Sequence, residues 1–238
     1  MPVKIALLAD IHGNLAALEP VLEAVDASKP DVVAILGDII GYYYQSAEVI
    51  DRLRDQSNIV VRGNHERAYL DMLDGRDDGA GYRSKYGSSL DIAAKTLTAA
   101  QNDWLRDLQD NLVVQIGGRE LHFTHEAPNV EGGYLYPDSS AAKFEATAPR
   151  SAAALFFGHS HYSFTAVTDG RLLVNPGSVG QARDMGGMAQ WAIVHLETLA
   201  VELKRTPYET KSVESATLRN DPDLPYLREV LRRGRDRG

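Results

Sequence analysis

Three short segments dominated by apolar residues, Met1 to Ala9, Asp31 to Leu36 and Asn58 to Val61, read as strands buried on both faces of a parallel sheet. The stretches between them carry helical spacing. Leu15, Leu18, Leu22 and Val25 share one face of a predicted helix that Asn14 could cap, and Val49, Ile50 and Leu53 share one face of another over Ser46 to Arg54, starting near Gln45 or Ser46. Pro20 lies past the first turn of the former and predicts a kink or a restart. Strand and helix in alternation predict parallel pairing with right-handed crossovers.

The pattern then changes. Asp74 to Gly87 is glycine-rich and charged and reads as an exposed loop, either a solvated connection or a flap over a site. Leu90, Ala93, Ala94 and Leu97 recur at helical spacing, and Asn102 or Asp103 is placed to cap a short helix carrying Trp104, Leu105 and Leu108, with Trp104 in the core. Leu112 to Ile116 and Arg119 to Thr124 flank Gly117-Gly118 as a hairpin. Phe164 to Val167 and Leu172 to Asn175 flank Asp169-Gly170 as a second, and Gln190 to Leu196 with Val201 to Lys204 make a third. An irregular segment over Glu126 to Pro137 and a helix near Ser139 to Thr147 lie between. Leu218 to Gly238 contains Asp221-Pro222 and then a helical stretch with Leu224, Leu227, Val230 and Leu231 apolar. Parallel units followed by hairpins predict an α/β protein with a mixed sheet or two stacked sheets. One domain over 1–238 is expected, with 207–238 a helical extension.

Composition narrows the chemistry. At 238 residues and 44% hydrophobic content the chain can bury a sizeable core. With no cysteine, disulfides, thiolate metal sites and cysteine nucleophiles are excluded, so any metal ligands are oxygen and imidazole. The apolar start ends too soon in Asp10 for a signal peptide, and no stretch reaches membrane-spanning length, so the cytoplasm is expected and no membrane partner. A net charge of −8 argues against a sequence-independent nucleic-acid binder, and the C-terminal arginines Arg228, Arg232, Arg233, Arg235 and Arg237 read as a solvated face.

Candidate chemistry collects at strand ends, where open α/β sheets place ligands. Asp10-Ile11-His12, Gly37-Asp38, Asn64-His65, His125 and His159-Ser160-His161 each follow a strand-like run and hold five of the seven histidines. Five loops ending in oxygen or imidazole donors describe a pair of metal ions, with Asp38 central enough to bridge them. The strand period of two would put Asp10 with His12, and His159 with His161, on one side. His122 and His195 lie within strands and read as partly buried histidines satisfied by hydrogen bonds.

Asp10-Ile11-His12-Gly13, Gly37-Asp38-Ile39-Ile40-Gly41, Gly63-Asn64-His65-Glu66, His125 and Gly158-His159-Ser160-His161 resemble, in order, the five blocks of the calcineurin-like metallophosphoesterases. Asn175-Pro176-Gly177-Ser178-Val179-Gly180-Gln181 resembles the segment after the last block in a bacterial branch of small phosphodiesterases and diadenosine-polyphosphate hydrolase-like proteins. The resemblance implies a four-layer α-β-β-α sandwich with two mixed sheets. It implies one metal on Asp10, His12, Asp38 and His161, a second on Asp38, Asn64, His125 and His159, and His65 as a catalytic histidine beside them. Asp38 and Glu66 are both candidates to orient His65. Three features depart from the pattern: Glu66 where aspartate is commoner, Tyr42-Tyr43-Tyr44 where Gly and Pro are common, and Glu126-Ala127-Pro128 where Gly-Ser-Pro is common. The tyrosines could stack on a nucleobase or pack against a helix or subunit.

Two divalent ions of this kind lower the pKa of a shared water, orient a phosphate and neutralise charge during in-line displacement. The expected function is metal-dependent hydrolysis of a phosphodiester or phosphoanhydride in a small phosphorylated substrate, a nucleotide among them, with His65 and Asp38 in the catalytic set. Phosphomonoesterase or protein phosphatase activity is the nearest alternative, and a non-catalytic scaffold the next. Manganese is the first expectation for the metal, with iron, zinc, cobalt and nickel also compatible with nitrogen and oxygen ligands. Arg62 and Arg183 are candidate phosphate contacts, with a surface ion pair the alternative for each.

Overall fold

A computed structural model of the protein describes residues 3–56, 59–147 and 149–234; Met1, Asn58, Arg235 and Arg237 of the segments above lie outside them. Strands and helices alternate at first: β1 (Lys4–Leu8), α1 (Leu15–Ser28), β2 (Val32–Ile35), α2 (Ser46–Arg54), β3 (Ile59–Val60) and α3 (Asn64–Leu73). Three helices follow, α4 (Ala80–Tyr86), α5 (Ser89–Thr96) and α6 (Ala99–Asp107). Then come β4 (Asn111–Ile116), β5 (Arg119–Thr124), α7 (Ala141–Thr147), β6 (Ala154–Phe156), β7 (Ser163–Thr168), β8 (Arg171–Pro176), β9 (Met188–His195) and β10 (Ala200–Pro207). Helices α8 (Lys211–Asn220) and α9 (Tyr226–Arg232) end the described chain.

The strands form two mixed sheets, ordered β10-β9-β1-β2-β3 and β4-β5-β6-β8-β7. Pairing is parallel through β1, β2 and β3 and through β5, β6 and β8, and antiparallel at β9, β10, β4 and β7. Alternation along β1 sets the layers. Ala6 and Leu8 pack with Leu18, Val21, Ile50 and Leu105 of the helices, whereas Ile5 and Leu7 pack with Phe123, Phe156 and Val174 of the other sheet. On the far face of the second sheet, Leu155, Phe157 and Leu173 meet Phe144 of α7. The result is the four-layer α-β-β-α sandwich. Each buried Leu or Ile contributes roughly 1.5–3 kcal/mol, and this packing holds the loops of the site in conformations they would not adopt alone.

Several local expectations change. Helix α1 runs through Pro20 without restarting; Asn14 caps it, accepting from the Ala17 N–H at 3.1 Å. The cap of α6 is Thr98, in a reciprocal box with Gln101, rather than Asn102 or Asp103. Trp104 is only partly buried. The segment expected as an exposed loop contains α4, bounded by Gly79 and Gly87, both at positive φ. Helix α8 lies ahead of the C-terminal helical stretch. There, Val213, Leu227, Val230 and Leu231 bury Tyr42 and Tyr43. Tyr43 donates to the Leu227 carbonyl at 3.2 Å and Tyr44 to Asp221 at 2.7 Å, so these tyrosines anchor the last two helices.

Candidate metal centre

The loops leaving β1, β2, β3, β5 and β6 all emerge at carboxyl ends of parallel strands, which brings together side chains as far apart in sequence as Asp10 and His161. The backbone there is not a continuation of the strands. Asp10, His12, Asp38, His159 and His161 all have φ between 52° and 70°, left-handed and disfavoured for residues with a Cβ. Asp10 with His12, and His159 with His161, therefore converge through tight turns, not through the period of an extended strand. Hydrogen bonds between loops hold them: Asp10 N–H to the Gly37 carbonyl at 3.1 Å, His12 N–H to Asp38 at 2.9 Å and Gly13 N–H to Ile39 at 2.8 Å. At Gly63 a Cβ would lie 2.2 Å from Asp38 Oδ1, so only glycine lets the third loop approach.

Two groups of ligand atoms result, Asp10, His12, Asp38 and His161 in one and Asp38, His125 and His159 in the other, each within 4.8 Å. Asn64 joins the second, its Oδ1 3.0 Å from His125 Nε2. Asp38 belongs to both: Oδ2 lies 3.8 Å from His12 Nε2 and 3.2 Å from His125 Nε2. Backbone carbonyls fix each ring. A carbonyl only accepts, so His12 Nδ1 donates to Ile40 (3.2 Å), His125 Nδ1 to Leu36 (2.8 Å), His161 Nδ1 to Gln181 (2.8 Å) and His159 Nε2 to Gly132 (3.1 Å).

When the rings are neutral the remaining nitrogens carry lone pairs, and they face one another. His12 Nε2 and His161 Nε2 are 3.0 Å apart, and His125 Nε2 and His159 Nδ1 are 3.1 Å apart. Two lone pairs at that distance do not hydrogen-bond; they converge on a position suited to a cation, with carbonyls orienting the ligands. The donor set therefore fits divalent metals.

Electrostatics keep His12, His159 and His161 in the neutral form and set a proton against a metal at Asp10 and His125. Burial raises the Asp10 carboxyl to about 8, against the opposing pull of His125. Burial would raise Asp38 too, but the imidazoles of His125 and His65 hold it well below the usual range. Burial keeps His12 and His161 well below their ordinary value, in the ligating form, and takes His159 to about 3. At His125 burial is outweighed by Asp38 and Asp10, and the pKa rises to about 10. The field that draws a proton onto Nε2 draws a metal cation to the same place, so the two compete. Metal affinity is therefore expected to fall as pH falls, with proton release on binding; calorimetry in buffers of different ionisation enthalpy measures this, and pH-independent affinity would contradict it.

Around the ligands, Asn175 donates to the Gly158 carbonyl at 2.7 Å and Ser178 to the Asp10 carbonyl at 2.7 Å, so the Asn175 to Gln181 segment supports the loops. Glu66, fully buried, accepts from four backbone N–H groups, those of Gly63, Asp38, Ile39 and Ile40, at 2.7–3.0 Å. It organises the Asp38 loop and has no oxygen left for His65. Arg62 pairs with Asp110 at 2.9 Å on the surface. Arg183 is half-buried, its Nε has no hydrogen-bond partner among the described residues, and its charge is felt at Asp10, His65 and His161. His122 and His195 lie apart, bonded to Glu120 at 2.8 Å and Glu202 at 2.6 Å. Two neighbours carried no sequence signal: Tyr134 stacks on His159 with centroids 3.9 Å apart, and Tyr82 reaches His65 from α4.

The sandwich, with paired Asp/His groups at the ends of its strands, defines a metal-dependent phosphoester hydrolase of calcineurin-like type. The chain belongs to the calcineurin-like phosphoesterase superfamily, whose domain model matches residues 3–199. It is 29% identical over 234 residues to an uncharacterized protein of Methanocaldococcus jannaschii, covering 91% of this chain and 92% of that protein. The crystal structure of a hypothetical protein from Pyrococcus horikoshii matches with a TM-score of 0.80 and 28% identity, over 98% of both chains. A metallophosphoesterase from Sphaerobacter thermophilus has the same fold, with a TM-score of 0.74 and 24% identity over 97% of this chain and 98% of that one. Among the described residues, no helix is long and apolar enough to cross a membrane.

Proposed function

We propose that the protein is a dinuclear phosphoesterase that hydrolyses a phosphodiester or phosphoanhydride in a small phosphorylated substrate, nucleotides included. The observation that carries this is the pair of lone-pair clusters sharing one carboxylate oxygen, Asp38 Oδ2. Asp10, His12, Asp38 and His161 would hold one cation, and Asp38, Asn64, His125 and His159 the other. When bound, the two ions would supply an activated water and the positive charge a phosphoryl group needs for in-line displacement. A nitrogen and oxygen ligand set suits manganese, and suits iron, zinc, cobalt or nickel as well.

The chain's own residues supply the rest. His65 Nε2 lies 3.8 Å from Asp38 Oδ2, at the edge of both clusters. From there its Nε2–H can donate a hydrogen bond to the departing oxygen as that oxygen gains charge. Burial lowers its pKa, so the ring is neutral near pH 7 and meets substrate as a hydrogen-bonding group. Arg183, with its unpaired Nε, is positioned to take a phosphate oxygen. Glu66 keeps the Asp38 loop closed on the ligands.

Two results are expected. His65→Gln lowers kcat by about a hundredfold or more with metal content unchanged; metal loss in that variant would show that His65 is a ligand instead. A panel of aryl phosphodiesters, phosphomonoesters and dinucleoside polyphosphates, assayed after manganese loading, tests the substrate class directly. Diesters or polyphosphates are expected to turn over fastest, and a clear monoester preference would overturn that assignment.

A further inference from the structure

We propose that Tyr82, on α4, is the positioning residue for His65, in the place that a carboxylate was expected to fill. Neither carboxylate identified from the sequence is available for it. Asp38 Oδ1 accepts the backbone N–H of His65 at 2.9 Å, and Asp38 Oδ2 lies 3.8 Å from the other ring nitrogen, beyond hydrogen-bond length. The oxygens of Glu66 are engaged by four amides. What His65 Nδ1 meets is the Tyr82 hydroxyl, at 2.6 Å.

A second observation supports the pairing. A Cβ on Gly41 would lie 2.2 Å from His65 Nδ1 and 2.6 Å from the Tyr82 oxygen, and its φ is +97°. The backbone of the Asp38 loop thus leaves open the space where the two side chains meet, and any other residue at 41 would fill it. The ring is also boxed: Tyr42 stacks on it at 5.0 Å and Tyr86 lies at 5.1 Å, with Tyr82 edge-on at 5.3 Å. With the ring held and Nδ1 bonded, Nε2 is the nitrogen presented to Asp38 and the clusters.

A phenol does here what a carboxylate does not. Its hydroxyl donates to Nδ1, which leaves Nε2 as the ring nitrogen that carries the hydrogen. A carboxylate accepts only and would place the hydrogen on Nδ1 instead. Burial pushes the Tyr82 phenol up, so it remains protonated and neutral.

This inference rests on the proposed role of His65, and the test separates the two. Tyr82→Phe, His65→Gln and the double variant would be compared, manganese-loaded, on a chromogenic aryl diester and on a diester with an alkyl leaving group. Tyr82→Phe is expected to lower kcat by about tenfold, the rate equivalent of one hydrogen bond. KM and metal content should be unchanged, and the loss should be larger for the alkyl leaving group, whose departing oxygen concentrates more charge. The double variant should be no slower than His65→Gln alone. Full kcat in Tyr82→Phe beside a slow His65→Gln would overturn the positioning role, as would losses that multiply in the double variant. A fully active His65→Gln would instead overturn the role of His65 itself.

Discussion

Asp38→Ala is expected to abolish hydrolysis while leaving a soluble, folded chain. One oxygen of this side chain faces both ligand clusters, and the other accepts the His65 backbone N–H at 2.9 Å. Removing it deprives each cluster of a shared anion and releases His65, the proposed catalytic histidine at the start of α3. The loss in kcat/KM should be at least about a thousandfold, or about 4 kcal/mol of transition-state stabilisation. The core is untouched, since Asp38 contacts loops and not the two hydrophobic layers, so the far-UV spectrum should be retained. Turnover undiminished in this variant would refute the mechanism.

Glu66→Gln is expected to give the largest loss of stability among single isosteric changes at the site. Four backbone amides end on the two carboxylate oxygens, in a fully buried position. Burial and the charge of Asp38 raise the pKa of this group to about 7, against the opposing pull of the amides. With four donors filling the lone pairs, no oxygen remains to carry a proton, so the ionised form is the one the loop holds. A glutamine turns an NH2 toward one or two of those amides and leaves donors facing donors. The cost is at least about 3 kcal/mol, from lost charge-assisted bonds and unsatisfied buried N–H groups. Because the amides belong to Asp38, Ile39 and Ile40, metal affinity should fall with stability. Urea denaturation and metal titration measure the two; an unchanged midpoint would mean that the loop does not depend on this side chain.

The gathering of these side chains was legible in the sequence because buried parallel strands announce themselves as short apolar runs, and polar residues directly after them have few places to go. His125 is an example: Leu121 and Phe123 fix its strand, and position alone carries it to the second cluster. The layering was legible for the same reason, through the alternation of Ile5 and Leu7 against Ala6 and Leu8. What the sequence withholds is contributed by backbone. The carbonyls of Ile40, Leu36, Gln181 and Gly132, which set every ligand tautomer, have no side-chain identity to read. The left-handed turns at Asp10 and His12 are imposed by hydrogen bonds from the neighbouring loop, not by local preference. Helix α4 is seven residues long, too short for a periodic signal against its glycine-rich flanks, and Tyr82 is hidden with it. The role of Glu66 inverts for a similar reason: adjacency to His65 suggests a partner for the ring, whereas the helix turns the carboxylate back onto the loop amides.

Manganese-soaked crystals of the protein, examined by anomalous diffraction, test the paired metal site most directly. Two adjacent peaks per chain, one among Asp10, His12 and His161 and one among Asn64, His125 and His159, with the Asp38 carboxylate between them, are the predicted result. A single peak, or peaks that leave Asp38 without a metal contact, would contradict it.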